Sequence, residues 1–108
     1  MAEWELEIQA EFEKASQARQ RNNEGQARVC ARRAAGIAIR EYFARRGIHP
    51  ASTSAYDLLN LIREDPLLPA DLKSIAGHLT VRVTEDFKLP VDVDLVAEAK
   101  DFCERLLR

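Results

Sequence analysis

The chain has 108 residues, of which 46% are hydrophobic and 31% charged, and its formal net charge is −2. This composition is typical of one globular domain over residues 1–108 and excludes collagen-like and intrinsically disordered classes. No apolar stretch approaches the ~20 residues of a membrane span. The acidic start of the chain is unlike a targeting peptide, so we expect neither a leader nor a membrane partner.

The first two predicted elements are long amphipathic helices. Helix one is predicted over residues 2–21, and the turn-forming run 22–25 ends it. Its apolar residues recur every three or four positions and are Trp4, Ile8, Phe12 and Ala15. Helix two is predicted over residues 23–46, with Gly47 as its C-terminal stop. It is apolar on two sides, which is typical of a helix that packs against neighbours on both.

Three further helices are predicted in the second half of the chain. Ser54 resembles the first residue of a capping box, so a short helix three follows it and ends by Asp65. Helix four begins at residues 68–71 and is predicted to include the β-branched run 80–84, because that run has no partner strand. Asp94 is a typical N-cap for a last helix. The sequence therefore predicts an all-α fold, an antiparallel bundle of four to five helices.

Charge is distributed unevenly along this predicted bundle. Residues 1–18 and residues 47–108 each carry a net charge of −4, whereas residues 19–46 carry eight arginines and a net charge of +6. A basic segment between two acidic ones either pairs with them inside the molecule or forms a basic surface for a ligand. The sequence alone leaves both interpretations open.

Three arginines are candidates for binding an anion or a nucleotide. Arg33 and Arg40 lie seven residues apart and therefore share one face of helix two. Arg82, at the predicted end of helix four, either pairs with Glu85 on the surface or faces a cleft and holds an anion there with the other two. Aromatic residues do not alternate with these arginines, so RNA binding by base stacking has little support.

The cysteines and histidines indicate no metal or cofactor site. Cys30 and Cys103 fall within apolar helical patterns and are predicted to be buried, reduced thiols, which is typical of a cytoplasmic protein. The histidines and cysteines lack metal-ligand spacing, and the four isolated glycines form no phosphate loop. His49 is interpreted as a loop residue and His78 as a helix-surface residue, with a catalytic role for His78 as the alternative.

The second apolar stripe of helix two has two explanations. Helices of the same chain cover it, or part of it is the seam of a homodimer, because a twofold interface reuses one self-complementary patch. Trp4, near the start of helix one, is a further candidate for that seam or for the core. The candidate interface residues are Val29, Ile39, Phe43 and Trp4.

The order of these segments resembles that of the HEPN family (higher eukaryotes and prokaryotes nucleotide-binding) in its small stand-alone form. The resemblance rests on the Ala-rich segment 27–43 closing on Gly47, on Ser54-Ala55-Tyr56-Asp57-Leu58-Leu59, and on a loop with Pro90 before a last helix containing Glu98-Ala99. It implies a homodimeric helical bundle that acts beside a nucleotidyltransferase-type partner, as in many toxin–antitoxin pairs. The resemblance therefore adds an expected partner to the predicted fold.

Ribonuclease members of that family use an Arg followed, after four to six residues, by a His. Residues 83–92, which follow Arg82, contain no His, and neither Arg45 with His49 nor Lys73 with His78 fits the pattern. We therefore expect a non-catalytic HEPN-like module that acts with a nucleotidyltransferase-type partner or binds a nucleotide-like anion. A degenerate endoribonuclease using Arg82 and His78 and a purely structural dimerisation bundle are the alternatives.

Overall fold

The computed structural model describes residues 1–81 and 93–108, and the regular structure in these ranges is entirely helical. The predicted all-α fold is confirmed for this part of the chain. The five helices are α1 (Glu3–Gln20), α2 (Glu24–Ala44), α3 (Ala55–Ile62), α4 (Ala70–Thr80) and α5 (Leu95–Leu106). Within the described ranges, none of these helices is long and apolar enough to cross a bilayer.

Three of the helices begin at a side-chain cap, and the sequence predicts two of these caps, Ser54 and Asp94. The side chains of Asn23, Ser54 and Asp94 accept hydrogen bonds from backbone N–H groups in the first turns of α2, α3 and α5. Each cap satisfies a donor that has no partner inside the helix and stabilises the helix by ~1 kcal/mol. At the other end of α2, Gly47 adopts a left-handed φ of 72° that favours glycine. The predicted starts and stops of these helices are therefore correct to within a few residues.

The end of α4 differs from the prediction. The helix stops at Thr80, and Val81 is extended with ψ of 131°. Arg32 on α2 donates to the carbonyl oxygens of Leu79 at 2.7 Å and Val81 at 3.1 Å. These carbonyls thus find a donor on another helix instead of in a further helical turn. The rest of the predicted helical extension, residues 82–84, lies outside the described residues.

The helices do not alternate in direction throughout the bundle. The start of α1 meets the end of α2, where the Arg45 guanidinium lies 5.4 Å from the centre of the Trp4 ring, so these two helices are antiparallel. The start of α5 meets the end of α1, where Asp94 pairs with Arg19 at 2.6 Å, and Arg19 also pairs with Glu24 at the start of α2. The end of α5 meets the end of α2, where Arg45 donates to the Leu107 carbonyl at 3.1 Å. Helix α5 therefore runs in the same direction as α2 and opposite to α1.

Helix α2 forms the centre of the core and packs against α1, α3 and α5. Its inward side is built largely from alanines, and the fully buried ones are Ala27, Ala31, Ala34, Ala35 and Ala38. Small side chains let the neighbouring backbones approach closely. At Gly36 the approach is closest, because a Cβ atom there would lie 3.1 Å from the Cβ atom of Ala55. The start of α3 is thereby held against the middle of α2.

The four residues predicted for a dimer seam divide into two that are buried and two that are half-buried. Ile39 is fully buried and Phe43 is only 6% exposed in the single chain, because neighbouring helices cover both apolar sides of α2. Val29 and Trp4 are half-buried but lie near opposite ends of α2. Trp4 contacts Arg45, which is sixteen residues from Val29, or ~24 Å at the helical rise per residue. A homodimer stays a prediction without the interface that the sequence indicated.

Candidate functional site

Arg33 and Arg40 line one cleft, as their shared helical face predicts. The cleft has a volume of about 540 Å³ and lies between α1 and α2, beside the start of α3; we call it the α1–α2 cleft. The polar side chains that line it are Glu7, Glu11, Lys14, Arg33, Arg40 and Thr53. The third predicted anion ligand, Arg82, lies outside the described residues. The structure thus joins two of the three predicted arginines and adds residues from α1 and from the connector before α3.

The local sequence explains why this cleft forms beside α2. The alanines of α2 face the core, so the long arginine side chains at positions 33 and 40 are left on the exposed side. Gly36 lies between them and admits Ala55 at close range. The chain just before α3, including Thr53, is consequently brought to the edge of the cleft.

Most other arginines of the basic segment have partners inside the molecule. Arg19 pairs with Glu24 at 2.7 Å and with Asp94 at 2.6 Å, and Arg45 pairs with Glu41 at 3.1 Å. The guanidinium of Arg46 stacks 3.7 Å above the ring of Tyr42, and Arg32 binds backbone carbonyls. The intramolecular interpretation of the basic segment therefore holds for these four arginines, and the ligand surface stays a prediction.

Arg33 and Arg40 are exposed, line the cleft and are not among these paired arginines. Within residues 1–81 and 93–108 neither forms an ion pair or a side-chain hydrogen bond. A guanidinium presents five N–H donors in a planar fork that suits phosphate and carboxylate oxygens. The α2 side of the cleft therefore offers two uncommitted groups of the kind that bind oxyanions.

The α1 side of the cleft carries a carboxylate with unusual surroundings. Only 13% of the Glu11 side chain is exposed, and its Oε1 atom lies 3.5 Å from the Lys14 ammonium group. Its Oε2 atom is buried and receives no hydrogen bond from any described residue. A buried acceptor without a donor costs ~1–3 kcal/mol. A ligand with an N–H or O–H group beside its anionic group would relieve that cost if Glu11 rotates toward it.

Sequence reasoning missed Glu11, Lys14 and Thr53 as cleft residues. Lys14 and Glu11 sit among the acidic residues of α1, and Thr53 belongs to an irregular connector. Helical spacing places residues on one helix, but it does not say which face of a second helix meets them. No signal within α1 alone distinguishes these residues from other surface charges.

The structure places His78 away from the α1–α2 cleft. Its Nδ1 atom lies 2.9 Å and 3.0 Å from the two carboxylate oxygens of Glu98, so the pair links the end of α4 to α5. This contact orients the imidazole and leaves its Nε2 atom for other partners. Arg82, the other half of the catalytic candidate, lies outside the described residues. What the structure shows of His78 is thus an interhelical contact.

Trp4, the remaining candidate, lines a different surface. It belongs to a groove of about 810 Å³ between α1 and α5, together with Ile8, Phe12, Cys103 and Leu107; we call it the α1–α5 groove. Cys103 is buried, as is Cys30, and both are free thiols. In the described ranges, no group of three or more His, Cys, Asp or Glu side chains could hold a metal ion.

Comparison with known proteins adds no functional assignment to what the chain's own residues indicate. No family model, curated protein or solved structure matches the sequence or the fold. The HEPN resemblance and the nucleotidyltransferase-type partner that it implies therefore stay predictions. The α1–α2 cleft, lined by Arg33 and Arg40, is the candidate site that these residues indicate.

Proposed function

We propose that the protein is a non-catalytic binding module whose ligand is a small nucleotide-like anion, held by its phosphate groups in the α1–α2 cleft. The observation that carries the proposal is that two guanidinium groups, those of Arg33 and Arg40, lie on one wall of that cleft and form no ion pair with any described residue. Hydrogen bonds between guanidinium and phosphate are charge-assisted and about twice as strong as neutral ones. An exposed arginine pair of this kind is therefore suited to a phosphate-bearing ligand.

The dimensions of the cleft favour two phosphate groups or one phosphate with an adjacent polar group. Arg33 and Arg40 are seven residues apart, so their Cα atoms are separated by ~10 Å along the axis of α2. Both side chains are long enough to converge on one ligand between them. Lys14 approaches from α1, and the start of α3, where the helix dipole is positive, borders the cleft at Ala55.

The acidic residues of the cleft limit the kind of anion that it can take. Glu7 and Glu11 offset two of the three cationic groups, so the formal charge of the lining side chains is only +1. A long RNA would need an extended basic surface, because its affinity comes mostly from many phosphate contacts. The hydroxyl or amino groups of a mononucleotide could instead donate to the two carboxylates. This balance favours a mononucleotide over a nucleic acid strand.

The composition of the cleft favours binding over cleavage. Proton transfer during RNA cleavage is performed best by a group that titrates near neutral pH, most often histidine. Neither His49 nor His78 lines the α1–α2 cleft. Arginine and lysine stay protonated near neutral pH and can hold a phosphate without transferring its proton. We therefore assign the cleft a binding role.

Calorimetric titration with AMP, ATP and inorganic phosphate at low salt tests this proposal. We expect nucleotide binding that weakens as salt is added. Replacing Arg33 or Arg40 with alanine should remove a charge-assisted hydrogen bond worth ~1.5–3 kcal/mol, which weakens binding by about tenfold or more. Arg63→Ala is the matched control, because Arg63 is exposed outside the cleft and, among the described residues, its side chain donates a hydrogen bond only to Asn60, at 3.5 Å.

Two results would contradict the assignment. One is the absence of binding by the wild-type protein to any of the three probes. The other is an equal loss of binding in Arg33→Ala and in the Arg63→Ala control, since that would indicate a general charge effect.

A further inference from the structure

The α1–α5 groove is a second surface whose exposure the nucleotide proposal does not explain. Helices α1 and α5 both pack on α2 and touch each other only slightly, which leaves an open channel between them. Ile8, Phe12 and Leu107 are partly buried and pack against the core from its walls. Trp4, also half-buried, continues the α1 wall. The groove thus brings four partly exposed apolar side chains together.

The spacing of the wall residues matches the repeat of an α-helix. Trp4, Ile8 and Phe12 follow one another at intervals of four residues, so the α1 wall presents apolar side chains every ~6 Å over ~12 Å. An amphipathic helix presents its own apolar residues at i, i+3/i+4 and i+7, with the same step. A channel between two helices that is lined in this way is the kind of surface that receives a third helix.

The edges of the groove carry opposite charges. Glu5 and Glu13 border it on α1, and Lys100 borders it on α5. Lys100 lies with its ammonium group 5.7 Å from the centre of the Phe12 ring, and it forms no ion pair within the described ranges. Glu13 likewise forms no ion pair with any described side chain. Arg108 and Glu104, also on the α5 edge, pair with each other at 3.2 Å.

We propose that the α1–α5 groove binds an amphipathic helix of a partner protein. The charges of the two edges specify its chemistry, because a helix seated between them needs basic residues on the flank facing α1 and an acidic residue on the flank facing Lys100. Its apolar seam packs against Trp4, Ile8 and Phe12. The occupant is therefore a helix with one basic and one acidic flank.

A second copy of this chain offers no such helix in its described part. Helix α2 is enclosed by its neighbours, and the exposed side of α1 carries Glu3 and Glu7, which would meet the acidic edge of the groove. The exposed large apolar side chains within helices are Leu6, Tyr56 and Leu61. The two on α3 are five residues apart and do not share a face. A foreign helix fits the edge charges better than a second copy does.

The only tryptophan of the chain makes the groove directly observable. Trp4 is that residue, and its emission should shift to the blue when a helix covers it. The probe is a peptide of about 18 residues with leucines at helical spacing, lysines on one flank and glutamates on the other, a length sufficient for helix formation. A matched peptide carries glutamate in place of each lysine. We expect the mixed peptide to bind about tenfold more tightly than the all-acidic one, because the latter places like charges against the α1 edge.

Two protein variants locate the binding. Lys100→Glu removes the cation that faces the acidic flank and should weaken binding of the mixed peptide several-fold, whereas Arg63→Glu, a charge reversal outside the groove, should leave it unchanged. Equal affinity for both peptides, or no response of Trp4 emission to either, would overturn the proposal. A Trp4 emission shift that depends on protein concentration alone, together with a doubled mass in sedimentation, would overturn it in favour of a second copy.

Discussion

Replacing Gly36 with alanine measures how tightly the start of α3 is held against α2. A Cβ atom at this position would lie 3.1 Å from the Cβ atom of Ala55 and 3.2 Å from its Cα atom. Carbon atoms in good contact are ~3.5–4.0 Å apart, so the two helices must separate by a few tenths of an ångström. Because one of the atoms that must move is backbone, rotation of a side chain cannot relieve the overlap.

Two effects of opposite sign determine how much Gly36→Ala changes the free energy of unfolding. Alanine in a helix interior is favoured over glycine by ~0.5–1 kcal/mol. Overpacking a tight interface costs ~1–3 kcal/mol. We therefore expect Gly36→Ala to destabilise the protein by a net ~1 kcal/mol, which lowers the melting temperature by ~4 °C for a chain of this length.

Gly77→Ala is the matched control, because it makes the same change in the interior of α4. A Cβ atom there would meet only the end of the Arg63 side chain, at 3.9 Å. We expect this variant to be stabilised by ~0.5–1 kcal/mol. Thermal and urea unfolding followed by far-ultraviolet circular dichroism measures both variants. Equal stabilisation of Gly36→Ala and Gly77→Ala would refute the close approach of α3 to α2.

The remaining predictions concern a helix cap, its titration and a buried thiol. Asp94→Ala removes the N-cap of α5 and the ion pair with Arg19, so the free energy of unfolding in urea should fall by ~1–2 kcal/mol. Asp101→Ala is the control, because it breaks an exposed pair with Arg105. This control should lower the free energy of unfolding by less than ~0.5 kcal/mol. The hydrogen bond from Arg19 holds the pKa of Asp94 below its usual value. The ionised Asp94 carboxylate therefore contributes its full stabilisation above the unfolded-state pKa of ~3.9. This stabilisation is lost as the pH falls through the lower folded-state pKa. An identical acid-induced loss of stability in wild type and Asp94→Ala would disprove this. Burial raises the pKa of the Cys103 thiol to about 12, so a thiol reagent at pH 8 should label it only after unfolding, and rapid labelling of the native protein would contradict its buried position.

Local sequence signals predicted most of the fold. Ser54 and Asp94 cap the helices that they were expected to cap, because a cap depends only on the residues of its own first turn. The end of α4 was wrong for the opposite reason. Arg32, which binds the carbonyls there, lies 47 residues earlier in the chain than Leu79. A contact between residues so far apart leaves no trace in the spacing of either segment.

The sequence likewise predicted part of the candidate site, namely the residues that share one helix. Helical spacing was sufficient to place Arg33 and Arg40 on one side of α2, and the cleft contains both. The spacing could not show that Ile39 and Phe43 are covered by the chain's own helices, because an apolar stripe looks the same whether its cover is intramolecular or a second subunit. Glu11 joined the site only through the packing of α1 against α2.

The node at Arg19 couples three helix ends that are distant in sequence. This guanidinium, in the last turn of α1, binds Glu24 at the first residue of α2 and Asp94 at the cap of α5. Fraying of the first turn of α5 therefore removes one of the two carboxylates that hold this guanidinium at the corner between α1 and α2. Amide protons at these three places should therefore exchange with solvent as one cooperative unit instead of as separate, independently opening ends.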